Sequence, residues 1–197
     1  MDPQIALLLT YMLLALVVSA LCSFLEATIL STPMSYVTTL EAQGVKGWQR
    51  LKQYKTNIDR PISAILIVNT IANTVGASLV GSQAAGYAAK HYSTSDETSL
   101  FVGVVSAVFT LLVLIFSEIF PKTVATAYWR RFAIPASSAI RMYIMLTYGL
   151  VVLLEKMTRS VSSNSTQESV TRDEVAAIVT VGTQEGVLEK KENRMIQ

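Results

Sequence analysis

Residues 62–89 contain no charged side chain. As a helix rising about 1.5 Å per residue, that run exceeds the roughly 30 Å hydrocarbon core of a bilayer. Two similar runs flank it. Pro3 to Leu40 carries only Glu26, and Ser99 to Ser117 carries no charge. With 51% hydrophobic residues and a mean hydropathy of +0.44, the chain reads as an all-α integral membrane protein. The net charge of +2 gives no reason to expect nucleic acid as a partner. One cysteine, Cys22, excludes an intrachain disulfide framework. The first basic residue is Lys46, so the N-terminal run lacks the positive flank of a signal peptide and reads as a retained span.

We expect spans at about 4–31, 62–89 and 99–127, with Pro33 closing the first. Between the first two, Leu40, Trp48, Leu51 and Tyr54 punctuate a basic stretch, the pattern of short amphipathic helices at a membrane surface. Gly44 and Gly47 are expected to separate them. Tyr128-Trp129-Arg130-Arg131 has the composition of an aromatic belt with a basic anchor. The segment at about 132–157 is interrupted by Pro135 and Arg141, leaving an apolar part too short to cross, and is expected to be a non-spanning juxtamembrane helix. These parts make a transmembrane domain over 1–157. Residues 158–197 read as a serine-rich linker followed by a small cytoplasmic segment of charged helices. The first opens at Thr171-Arg172-Asp173-Glu174 and ends near Gly182, and the second begins at Leu188. Gln197 falls in mid-helix, so the natural chain is expected to continue. Basic residues crowd the first connection and follow the third span. The positive-inside rule then puts the N-terminus outside a cell membrane and the C-terminus in the cytoplasm.

Polar residues inside the spans are the functional candidates. Glu118 ends the third charge-free run and Pro121 follows it. An ionisable group in a span is rare and usually functional, and a proline frees a carbonyl four residues back, here that of Ser117. A cation would satisfy both groups. Alternatively, Glu118 pairs with Lys122 one turn along a kinked helix. Ser19, Ser23 and Glu26 share one face of the first span. Asn69 and Asn73 lie one turn apart in the second, followed by Thr74-Val75-Gly76, and an interhelical clamp is the plainer use for them. Ala77, Gly81 and Ala85 repeat at four, a small-residue face suited to close helix contact within or between subunits. Counted from the cytoplasmic edges, Asn69, Ser23 and Glu118 lie about 10, 15 and 16 Å deep. All three offer oxygen, which suits Mg²⁺, Ca²⁺ or Na⁺ and not zinc or copper.

Ser23 with Glu26, Asn69 to Asn73, and Glu118-Ile119-Phe120-Pro121-Lys122 resemble the signatures of the transmembrane domain of the CorC/cyclin-M magnesium transporter family. The segment from Thr171 to Glu189 resembles the acidic helical part that follows it. Two departures stand out. Cys22 takes the place of a common aromatic, and Ser117 that of a common glycine. The resemblance implies a homodimer, three spans per subunit, and a cytoplasm-facing site for dehydrated Mg²⁺. It also implies nucleotide-binding CBS modules beyond this sequence, and Mg²⁺ export driven by Na⁺. On that basis Ser23, Asn69, Asn73, Glu118 and the backbone at Ser117 are the expected metal ligands. Glu26, Gly76, Pro121, Lys122 and Ser19 are expected to shape the site. A different reading makes the chain a membrane-anchored regulatory module with a structural polar cluster. No nucleophile–base pair or phosphate-cradling loop suggests an enzyme.

Overall fold

A computed structural model describes residues 3–162; the acidic helical segment expected after Ser169 lies outside them. The order is α1 (Pro3–Ser31), α2 (Met34–Ala42), α3 (Trp48–Thr56), α4 (Asp59–His91), α5 (Ser95–Leu112), a π-helical segment (Val113–Ile119), α6 (Phe120–Leu146) and α7 (Tyr148–Ser162). The described residues up to Lys156 belong to one compact unit. Among the described residues, three helices are long and apolar enough to cross a membrane: Pro3–Ser31, Asp59–His91 and Ser95–Leu146. Much of their surface is unburied leucine and valine, such as Leu13, Leu14, Leu100 and Val104, the covering that lipid requires.

The third of these runs to 52 residues, far beyond the ~20 that one crossing needs. Tyr128 divides it, with φ −116° and ψ 20° inside an otherwise helical stretch. Pro121 does not end the helix. A proline ring collides with the carbonyl four residues back and offers it no N–H. Here the preceding seven residues widen into π geometry, and the Phe120 N–H bonds Ile115 O five residues back. The wider turn makes room for the ring, so helical backbone continues to Tyr128. Pro135 likewise sits inside α6 without ending it. The juxtamembrane segment is not one helix either. Thr147 leaves helical geometry and separates α6 from α7.

The turns between α1 and α3 follow their glycines. Gly44 and Gly47 have φ of 66° and 95°, values a side chain would strain. Pro33 stands just after α1 and caps α2 in extended conformation. One core joins the later half of α1 (Cys22, Leu25, Ile29) to α2, α3, the start of α4 and α6. Lys55 reaches from α3 to Ile29 O at 3.1 Å, supplying a cation to the carbonyl end of α1. Burial holds the Lys55 amine below its usual pKa.

At the other end of α1, Ala15 packs with Val80 and Phe109. Here α1 meets α4 so closely that a Cβ on Gly76 would lie 2.4 Å from Ala15 Cβ. The small-residue face therefore falls one position away from the one expected for a contact within the chain. Gly76, Val80, Ala84 and Ala88 are buried, while Ala77 and Ala85 are exposed and Gly81 has nothing near its missing Cβ. Gly81→Leu should then leave the stability of the isolated subunit within about 0.5 kcal/mol of wild type. Thermal denaturation at high dilution checks this, and a large drop would show that the face is packed inside the chain.

Candidate cation site

Leu16, Ser19, Ser23 and Glu26 follow one another at three, four and three residues, and so line one stripe of α1. The other two spans meet that stripe. From α4, Asn69 Oδ1 accepts a 2.8 Å hydrogen bond from Ser19 Oγ and a 3.4 Å bond from Asn73 Nδ2. From the π segment, Ser117 Oγ donates to Leu16 O at 3.0 Å. One turn on, Lys122 Nζ lies 3.1 Å from Glu26 Oε2. Matching Ala15 with Gly76 and Ser19 with Asn69 makes α1 and α4 antiparallel. Matching Leu16 with Ser117 and Glu26 with Lys122 makes α1 and the third span run the same way.

Two oxygens on this surface have no partner. Ser23 Oγ on α1 and Asn73 Oδ1 on α4 are both buried and bonded to nothing. A buried polar atom left unpaired costs about 1–3 kcal/mol, so each needs a reason. Both are oxygen acceptors, and both flank the Ser19–Asn69 link. A cation that prefers oxygen would satisfy either of them; with α1 and α4 antiparallel, Ser23 and Asn73 lie on opposite sides of the Ser19–Asn69 link. Asn69 itself has its oxygen committed to two donors, so in this arrangement it ties α1 to α4. Among the described residues, no three of His, Cys, Asp and Glu gather into a cluster. A cation here would be held mainly by neutral oxygens and one carboxylate.

The third span brings one carboxylate of its own, Glu118. It is half-buried, and among the described residues it has no ion pair or hydrogen bond. The Glu118–Lys122 pair, held open from the sequence, does not form, because Lys122 reaches across to Glu26 instead. Glu26 and Lys122 neutralise each other and leave Glu118 as the uncompensated charge. Ser117 is fully buried, with its hydroxyl spent on α1. In an α-helical turn its carbonyl would pair with the N–H of residue 121, which proline lacks. Single π turns inside α-helices occur frequently at functional sites, and this one carries Ser117 and Glu118 directly before the proline.

Three features escaped the sequence. The Glu26–Lys122 pair joins residues too far apart in the chain for spacing to reveal. The Leu16 carbonyl is backbone and has no signature. The π turn could have been read from Pro121, which signals that the preceding turn must distort, though not whether by kink or by widening.

Comparison with known proteins covers most of the chain. A UPF0053 protein of Synechocystis is 31% identical over 179 residues, which is 91% of this chain and 49% of the relative. The UPF0053 inner membrane protein YfjD of Escherichia coli is 32% identical over 120 residues, or 59% of this chain and 25% of that protein. A UPF0053 protein of Haemophilus influenzae is 29% identical over 152 residues, covering 76% of this chain and 33% of the relative. The chain thus spans half or less of the length of these relatives. Residues 10–192 match the cyclin M transmembrane N-terminal domain, and the chain belongs to that family.

Proposed function

We propose that this domain carries a divalent cation across the cell membrane, that the ion is Mg²⁺, and that it binds between α1, α4 and the π segment. The observation behind this reading is the pair of orphaned oxygens, Ser23 Oγ and Asn73 Oδ1, on two helices that face each other. Mg²⁺ asks for about six oxygens in near-octahedral geometry and gives up water reluctantly. Ser23, Asn73, Glu118 and the Ser117 carbonyl supply four kinds of hard donor. Asn69 joins them if its amide turns over, releasing the oxygen it now shares with Ser19 and Asn73. Pro121 offers the Ser117 carbonyl no N–H, and the Glu26–Lys122 pair stands at the end of the stripe as a gate of opposite charges. Export driven by Na⁺ entry, with the site facing the cytoplasm, completes the reading by resemblance to magnesium transporters. The face of Ala77, Gly81 and Ala85, open at the missing Gly81 side chain, gives a second copy of the chain a place to pack.

Asn73→Ala removes one neutral oxygen, which should weaken Mg²⁺ binding by about 1–3 kcal/mol, a graded loss seen by calorimetry. Affinity equal to wild type would remove Asn73 from the ligand set. The proposed orientation has its own check. A cysteine at Ser165 should resist membrane-impermeant thiol reagents applied outside intact cells; labelling there would reverse the topology.

A second reading is favoured by the two donors on Asn69 Oδ1, which are what a structural clamp would have. The domain would then be a membrane anchor for a regulatory module and move no ion. Flux into Mg²⁺-loaded and Mg²⁺-free liposomes separates the two. Flux above empty vesicles supports the transporter, and its absence in protein that binds Mg²⁺ supports the anchor.

A further inference from the structure

A second polar site lies away from the spans, where α3 docks on α6. Gly47, in left-handed conformation, seats the start of α3 against Ile134, with a virtual Cβ 3.3 Å from Ile134 Cγ2. Leu51 and Tyr54 turn into the core. Beside this contact α3 and α6 leave a pocket of about 530 Å³ lined by Gly47, Gln49, Arg50, Gln53, Tyr54 and Arg141. No carboxylate lines it. Arg50 Nη1 donates to Ser138 Oγ at 2.7 Å, which fixes its guanidinium and leaves its other N–H groups free to bind. Ser138 and Arg141 are three residues apart, on one face of α6. Glu41, the acid of the neighbouring α2, is taken by Lys52 at 2.6 Å. Arg50, Arg141 and Arg60 all lie near enough to Tyr54 to counter the upward push that burial gives its hydroxyl pKa.

Two guanidiniums and two amides around an acid-free pocket present many donors and no anionic acceptor. Planar guanidinium forks match the oxygens of a phosphate. The surroundings favour a lipid over a soluble phosphate. Lys52 lies over the Trp48 ring and Arg130 over the Trp129 ring, each at 5.3 Å, and Tyr36 meets Trp129 edge to face. Aromatic and basic residues in this combination mark the headgroup level of a membrane, and basic pockets beside spanning helices on the cytoplasmic side take anionic headgroups. The other grooves, such as that lined by Val17, Leu21, Phe24 and Phe120, are apolar and suit acyl chains. We propose that the pocket between α3 and α6, framed by Arg50 and Arg141 with Gln49 and Gln53, binds the phosphate of an anionic lipid in the cytoplasmic leaflet. This assignment is independent of the cation site.

Native mass spectrometry of the full chain in detergent, titrated with phosphatidylglycerol or phosphatidylcholine, tests it. Wild type should retain phosphatidylglycerol about fivefold or more over phosphatidylcholine, the effect of one cation near an anionic headgroup. Arg141→Gln and Arg50→Gln should each bring that ratio close to one, while Lys46→Gln, an exposed lysine outside the pocket, should keep it. Equal retention by Arg141→Gln and wild type overturns the proposal, as does an equal loss in Lys46→Gln, which would mean general surface charge. If Arg141→Gln melts below wild type, Gln53→Glu decides instead. It adds a carboxylate to the pocket with both arginines in place and should expel the lipid. Displacement by millimolar inorganic phosphate would make the pocket a soluble-anion site, and displacement by a peptide of residues 171–192 would make it a dock for the chain's own acidic segment. Either result overturns the lipid assignment.

Discussion

Glu118→Gln should abolish Mg²⁺ binding and transport while leaving the metal-free protein as stable as wild type. The substitution keeps the size of the side chain and one carbonyl oxygen, and removes the charge. Removing one partner of a poorly hydrated charge pair costs about 3–5 kcal/mol, a factor of roughly 10² to 4 × 10³ in affinity. Stability without metal should not change, because among the described residues Glu118 makes no ion pair that the substitution would break; Lys122 is held by Glu26. That pair is itself partly exposed, with side chains 46% and 31% accessible, so Lys122→Ala should cost no more than about 1 kcal/mol. Calorimetry with Mg²⁺ and thermal denaturation in a chelator read both parts. If Glu118→Gln lowers metal-free stability and keeps Mg²⁺ affinity, Glu118 is a structural residue.

Gly76→Leu should be the most destabilising substitution in the spans. Even a single methyl group at this position would lie 2.4 Å from Ala15 Cβ, a separation that carbon atoms do not tolerate, and Phe109 closes the side at 3.7 Å. The alternatives are to separate α1 from α4 or to distort both helices. Overpacking of this kind costs about 1–3 kcal/mol or more. Separating the helices would also stretch the 2.8 Å Ser19–Asn69 hydrogen bond two turns back along α4, so Mg²⁺ affinity should fall along with stability. Gly81→Leu, five residues on with open space around it, is the matched control. Similar melting temperatures for the two variants would mean that α1 and α4 do not cross as described.

Much of this was legible in the sequence because a membrane simplifies the problem. Charge-free runs longer than a bilayer is thick can only be spans, and polar residues within them can only face protein, water or an ion. Ser19, Ser23, Asn69, Asn73, Ser117 and Glu118 were singled out on that ground. The helix boundaries at Pro33, Gly44 and Gly47 follow from local backbone chemistry and needed no tertiary information. What stayed hidden depends on helix rotation and on partners distant in the chain. Gly76 and Gly81 differ by about 140° around α4, and no pattern of small residues says which one meets α1, because Ala77, Gly81 and Ala85 make as good a stripe as Gly76, Val80, Ala84 and Ala88. Lys122 had two carboxylates within reach. Spacing favoured Glu118, while the parallel course of α1 and the third span placed Glu26 closer. Pro121 foretold a distortion, but whether a helix kinks or widens depends on what packs around it. Here the Ser117 hydroxyl bonded to Leu16 O fixes the widened turn against α1.

The central claim is that oxygens from three spans, two of them otherwise unsatisfied, hold one Mg²⁺. Thermal stabilisation of the purified wild-type chain by Mg²⁺, measured beside Ca²⁺, Mn²⁺ and Na⁺ at matched ionic strength, tests it most directly. A ligand present at about 100 times its dissociation constant stabilises by about 2.7 kcal/mol. A saturable upward shift in melting temperature with Mg²⁺, larger than with Ca²⁺ or Na⁺, is the predicted result. A melting temperature that does not respond to any of the four cations would contradict the account.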